Sequence, residues 1–195
     1  MTARIDIAAL LVALPMLAAP MAALAAGDAR VEAFRAACIP DRRDFDAILV
    51  RASADGWRVV TGDADPELKV VLDAASDPGA GAGNSIRAFR KEIAGRPAFL
   101  VASRVTSGQY VVVGCYFYDF AATTPLPPEL FNDWLGGAPS AQMNEPGNAV
   151  AYQWETPRTL PGTWDVYATF IAEGGAGAKE TGFSGLALKI TSNEK

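Results

Sequence analysis

The ten residues from Gln109 to Tyr118, QYVVVGCYFY, constrain the fold of this chain more than any other stretch. Valine, tyrosine and phenylalanine carry their bulk close to the backbone, which fits a pleated strand better than a helix. Alternation puts Tyr110, Val112, Gly114, Tyr116 and Tyr118 on one side, and Val111, Val113, Cys115 and Phe117 on the other. Both sides are mostly apolar, so the run reads as a central strand covered on both faces, with the valine and cysteine face the drier. Gly114 leaves room for another group to approach closely. Upstream, Ala98 to Thr106 is a second apolar run, and Ser107-Gly108 supplies a turn that makes the two a hairpin.

Cys115 has one possible partner, Cys38. Cys38 lies on a helical stripe with Val31, Phe34 and Ala37, opened by the capping residue Asp28 and ended by Pro40. A bridge between them would pin helix to sheet and close a loop of 77 residues. In the chain-entropy account such a loop contributes roughly 4.5 kcal/mol. The pairing needs an oxidising compartment. Residues 1–25 supply the route: Arg4 opens a short n-region, Ile7 to Leu17 is apolar, and Ala23-Leu24-Ala25 places small residues at a cleavage site. The reading is a secretory signal cut after Ala25, with residues 26–195 as one periplasmic or secreted domain. Pro15 and Pro20 interrupt the apolar segment and argue against a retained anchor. Cys38 is too far downstream, behind charged residues, to take a lipid.

The 195-residue chain has a formal charge of -5, and the signal holds one basic and one acidic residue, so cleavage leaves that charge unchanged. An acidic chain without a basic stripe lacks the phosphate-neutralising surface that nucleic-acid binding requires. There is no histidine. That removes histidine-based triads and histidine zinc sites, together with the commonest general base near neutral pH. No C-x-x-C, G-x-S-x-G or P-loop is present, and no cofactor is expected.

Along the mature chain, a second helix begins near Asp41 or Asp44 and carries Phe45, Ile48, Leu49 and Ala52, with Gly56 as its stop. Trp57, Val59 and Val60 form a short extended piece. Asp65-Pro66 starts a third helix bearing Leu68, Val71, Leu72 and Ala75 and ending near Ser76. Residues 77–85, DPGAGAGNS, read as a loop. Ile86 to Ile93 is expected as a charged edge strand before a turn at Ala94-Gly95-Arg96-Pro97. Glu129 to Leu135 is a short helix closed by Gly136, and a loop then runs to Asn148. Ala149 to Glu155, Thr163 to Ala172 and Phe183 to Thr191 complete the strands, with Gly174, Gly175 and Gly177 marking the last turn and residues 192–195 a frayed tail. Helices first and strands after give an α+β domain, helices packed on an antiparallel sheet of about five or six strands.

Three sets of residues are candidates for a site. Tyr116, Tyr118, Tyr152 and Trp154, with Trp164 and Tyr167, could line a groove for a protein, peptide or glycan. Asp119, Glu155 and Asp165 could serve as the paired carboxylates of a hydrolase if they converge. Asp63, Asp65 and Glu67 alternate as calcium ligands do, although Asp65 is better used as a helix cap. FRAACIP around Cys38, the Gly56-Trp57 pair and the GCYFY strand together resemble small exported bacterial proteins over most of the mature chain. That resemblance implies export and carries over no activity or site residue. The function expected is that of a non-enzymatic envelope protein, with the carboxylate hydrolase as its rival.

Overall fold

The fold is described from a computed structural model covering residues 27–76, 84–107 and 109–195. The expected signal segment and most of the glycine-rich stretch lie outside the described residues. The architecture is α+β, one fully antiparallel sheet of eight strands with helices on its faces. Two helices lead: α1 (Ala29–Cys38) and α2 (Phe45–Ala54). Strand β1 (Arg58–Val60), a single 3-10 turn and α3 (Pro66–Ala75) follow. Then come β2 (Ser85–Ile93), β3 (Arg96–Ser107), β4 (Tyr110–Asp119) and α4 (Glu129–Leu135). The chain finishes with β5 (Ala141–Glu145), β6 (Ala149–Glu155), β7 (Thr163–Ile171), α5 (Ala176–Thr181) and β8 (Gly185–Asn193). The spatial order is β1-β2-β3-β4-β8-β7-β6-β5, so β4 lies fourth from one edge, between β3 and the last strand.

Helix starts follow the capping chemistry. Asp28, Asp44 and Asp65 each sit in extended conformation at an N-cap and accept from a backbone N–H of the first turn. The strand β4 divides two cores. On the cysteine face, Val113, Cys115 and Phe117 meet the stripes of α1, α2 and α4, including Phe34, Ile48 and Phe131, none of which is measurably exposed. Cross-strand neighbours share a face, and Phe89, Leu100, Phe117, Leu188, Ala168 and Tyr152 form one continuous row here. On the tyrosine face a smaller core joins Leu68 of α3 to Ala88, Phe99, Val101, Tyr118 and Phe120. Cys38 and Cys115 are bonded, their Cα atoms 5.6 Å apart, tying α1 to the central strand.

Several expectations need correction. The sheet has eight strands rather than five or six, because β1 and β5 both join it. β5 falls in the segment read as a loop before Asn148. Its sequence, AQMNE, has no β-branched or aromatic residue, and it becomes a strand by pairing with β6 across the turn at Gly147, whose φ is 73°. β2 is not an edge, since β1 pairs with Ala88, Phe89 and Arg90. The turn after it is tighter than expected: Ile93 pairs with Arg96, and Ala94 and Gly95 alone make the reversal with φ of 51° and 76°. On the far side of β3, pairing runs on to Ser107 opposite Tyr110, so Ser107 belongs to the strand. The glycine turn after β7 contains α5, whose Gly177 N–H donates to the Asn148 Oδ1. The tail is not frayed: Ser192 is fully buried, the Glu194 N–H donates to Val111 O and the Lys195 N–H to Arg43 O.

Candidate functional site: a groove on the tyrosine face

Along β4 the side chains of the tyrosine face form an aromatic ladder. The rings of Tyr116 and Tyr118 are stacked at 6.4 Å, those of Tyr118 and Phe120 at 5.4 Å, and Phe183 closes edge-on against Tyr118 at 5.9 Å. Such spacings let each ring contribute contact beyond its buried area. Gly114 makes the arrangement possible. A Cβ there would lie 2.7 Å from Ser103 Oγ and 2.8 Å from the Tyr116 hydroxyl, so the Tyr116 ring leans back over the one position with no side chain. The close approach expected at Gly114 is therefore by its own strand neighbour.

The core beneath α3 is drawn mainly from β2 to β4, with Val60 of β1 and Ala187 of β8 packed at its margin. Between α3, the α5 segment and the sheet is a groove of about 610 Å³. Its floor is Val101, Ser103, Tyr116 and Tyr118, and α3 contributes Val70, Val71, Ala74 and Ala75 as one wall. Thr181, Phe183 and Glu180 form the other. One end is shut: Glu67 of α3 accepts from the Ser184 N–H at 2.7 Å and from its hydroxyl at 3.0 Å. Val70 is nonetheless 38% exposed, a β-branched apolar side chain facing the opening. Burial raises the phenols of both Tyr116 and Tyr118, that of Tyr118 well above the usual tyrosine range, so both stay neutral at any physiological pH. Other depressions of about 550, 560 and 590 Å³ lie at Asn84, at Pro146 and at Arg58. None of those three has a tyrosine in its lining.

The residues singled out in the sequence are divided between the two faces. Tyr116 and Tyr118 floor the groove, whereas Tyr152 and Trp154 lie on the cysteine face. There Trp154 packs against Phe131 of α4 at 5.2 Å and its Nε1 donates to Gly137 O at 3.0 Å. The four do not form one surface. The strands alternate correctly, but the parity of β6 relative to β4 is set through β8 and β7, and no sequence periodicity carries it across. Trp164 meets Tyr110 at 6.4 Å beside the bulge in β7, and Tyr167 shares the tyrosine face with Lys189, whose Nζ lies 4.8 Å from its ring centroid.

The carboxylates are divided in the same way. Asp119 is buried at the cysteine-face end of β4, where its Oδ2 accepts from Arg96 at 3.1 Å and lies 3.5 Å from Arg30 Nη1. Glu155 and Asp165 are opposite each other on β6 and β7, on the tyrosine face. Asp165 accepts from the Thr191 hydroxyl and lies 3.6 Å from Lys189 Nζ. In the calcium candidate, Asp65 is spent on capping α3 and Glu67 on Ser184. Among the described residues no three metal-ligating side chains gather. What sequence reading missed is the part played by α3 and the Thr181 to Phe183 segment. The signal for it was Val70, which falls off the predicted apolar stripe of α3 yet is apolar.

No protein-family model matches the chain, and no curated protein or solved structure matches it.

Proposed function

We propose that this chain is a non-enzymatic, exported binding protein that holds a peptide segment of a partner protein in the groove between α3, the α5 segment and β3–β4. One observation carries the reading: a largely apolar cleft of about 610 Å³, floored by the two tyrosines of the central strand and left open at Val70. A volume of that size suits one or two apolar side chains, and a few polar groups at its margin, here Ser103, Thr181 and Glu180, suit a peptide backbone. A glycan fits less well. Sugars lie flat on exposed ring faces, and Tyr118 is only 7% exposed, shut between Phe120 and Phe183. The hydrolase rival loses support from Asp119 being on the opposite face, ion-paired to arginine, and from Glu155 and Asp165 standing on open sheet rather than in a cleft.

Residues 1–25 as a cleaved signal, with a periplasmic or secreted destination, belong to the same proposal. The Cys38–Cys115 bridge supports it, since such bonds persist in oxidising compartments. The test is selection of displayed random peptides on the purified, bridged protein. Enriched sequences should carry apolar side chains and lose binding to Ala74→Trp, which fills the groove from an exposed helix position. Enrichment indifferent to Ala74→Trp would overturn the groove. N-terminal analysis of the exported protein should find Ala26 first; an intact leader in the cytosol would overturn the compartment.

A further inference from the structure

The open end of the groove abuts a row of polar positions running across the tyrosine face: Ser103, Gly114, Thr191, Asp165 and Glu155, paired strand by strand. Asp165 and Glu155 are like charges directly opposite each other on neighbouring strands, an arrangement that costs stability unless a cation sits between or above them. The cation nearest by is Lys189, 3.6 Å from Asp165 and also drawn over the Tyr167 ring. One lysine at that distance leaves the pair with an uncompensated negative charge. Around the groove itself, α5 adds Glu180 to the rim, while Lys69 of α3 is already held by Asp73 at 2.6 Å. Lys179 of α5 does not line the groove.

Resting on the peptide-binding reading above, we infer that the groove takes a basic–apolar segment: an apolar side chain lodged between α3 and the Tyr116–Tyr118 floor, and an adjacent lysine or arginine reaching past Tyr116 to Asp165 and Glu155. The geometry allows one side chain to span the gap. Gly114 and Asp165 are two strands apart, about 10 Å at the usual interstrand spacing, and Tyr116 leans over Gly114 toward that row. The field of Asp165 reaches Tyr116, where it acts with burial to push the phenol up, and both carboxylates act in the same way on Tyr167. A guanidinium or ammonium placed among two tyrosine rings and two carboxylates gains both ion pairing and ring-face attraction. The net charge of -5 favours approach of such a partner from a distance.

The test uses short fluorescent peptides with one leucine-rich core flanked by lysine, serine or glutamate, titrated at low ionic strength into the full mature protein and its variants. The lysine peptide should bind about fivefold tighter than the serine peptide, the scale of one partly screened ion pair, and the glutamate peptide weaker than both. In the double variant Asp165→Asn with Glu155→Gln the three peptides should bind alike; the asparagine amide keeps an acceptor for Thr191, and thermal unfolding at or above the wild-type temperature verifies the fold. In Ala74→Trp no peptide should bind. If wild type binds all three alike, or if the lysine preference survives in the double variant, the charge assignment is overturned while the groove stands. If no peptide binds wild type, or Ala74→Trp changes nothing, the groove reading falls and takes this inference with it.

Discussion

Asp28 shows how much can rest on one side chain. It caps α1 through the Arg30 N–H, and its carboxylate also accepts from the Arg30 guanidinium at 2.7 Å and 2.9 Å. That guanidinium lies between Asp28 and the buried Asp119, so the start of the first helix is tied to the end of the central strand. The Arg30 side chain, against the opposing cost of burial, holds the Asp28 carboxyl below the ordinary aspartate range. A lowered carboxyl contributes stability above its unfolded value, about 3.9, and loses it as the pH falls through the lowered folded value. Asp28→Asn keeps a good cap but removes the charge. It should lose about 1 kcal/mol at neutral pH, and the difference from wild type in urea midpoint should shrink as the pH falls below the ordinary aspartate range and through the lowered folded value. A difference that persists undiminished in acid would mean that packing, not charge, is what asparagine disturbs.

At the scale of elements, the chain joins pieces that are each locally legible to pieces that are not. The Cys38–Cys115 bridge connects two legible ones, a capped amphipathic helix and a valine-rich strand. Because it closes a 77-residue loop, removing it with Cys38→Ala and Cys115→Ala should cost roughly 3 to 5 kcal/mol, loop entropy and the small cavity together. Urea unfolding measures this, and a loss below about 1 kcal/mol would show that the packing of Phe34 and Ile48 holds the helices without the bond. The sequence identifies α1 to α4 nearly to the residue because aspartate caps, Pro66 and Gly136 mark their ends. It marks β1 only as a short extended piece, without its place in the sheet, and does not mark β5 or α5. β5 is fully exposed and takes its conformation from β6 alone, and α5 has too few residues for a periodic stripe and owes its place to Asn148. The groove falls in the same gap. Tyr116 and Tyr118 are identifiable from alternation, but which strands share their face depends on register through β8 and β7.

Over the whole molecule the two faces of the sheet are unequally covered. On the cysteine face α1 alone buries Val31, Phe34, Ala37 and Cys38, and a covalent bond adds to that packing. On the tyrosine face α3 buries only Leu68 fully, and beyond β4 Lys189, Tyr167 and Gln153 are left half-buried. Local stability follows buried apolar contact, so the two layers should open at different free energies. Native-state hydrogen exchange tests this directly. Amides of α1 and β4 should exchange only through global unfolding, whereas those of α3 from Leu68 to Ala75 should exchange through a smaller opening several kcal/mol below it. A peptide seated between α3 and Tyr116 would bind the closed form alone and raise the protection of α3 by a factor of one plus the ratio of free peptide concentration to Kd, leaving α1 to follow the global change. Protection of α3 equal to that of β4 in the free protein would mean that Leu68 and the Glu67–Ser184 bonds suffice to lock the helix down. The groove would then be a rigid slot, and any partner would have to fit it as it stands.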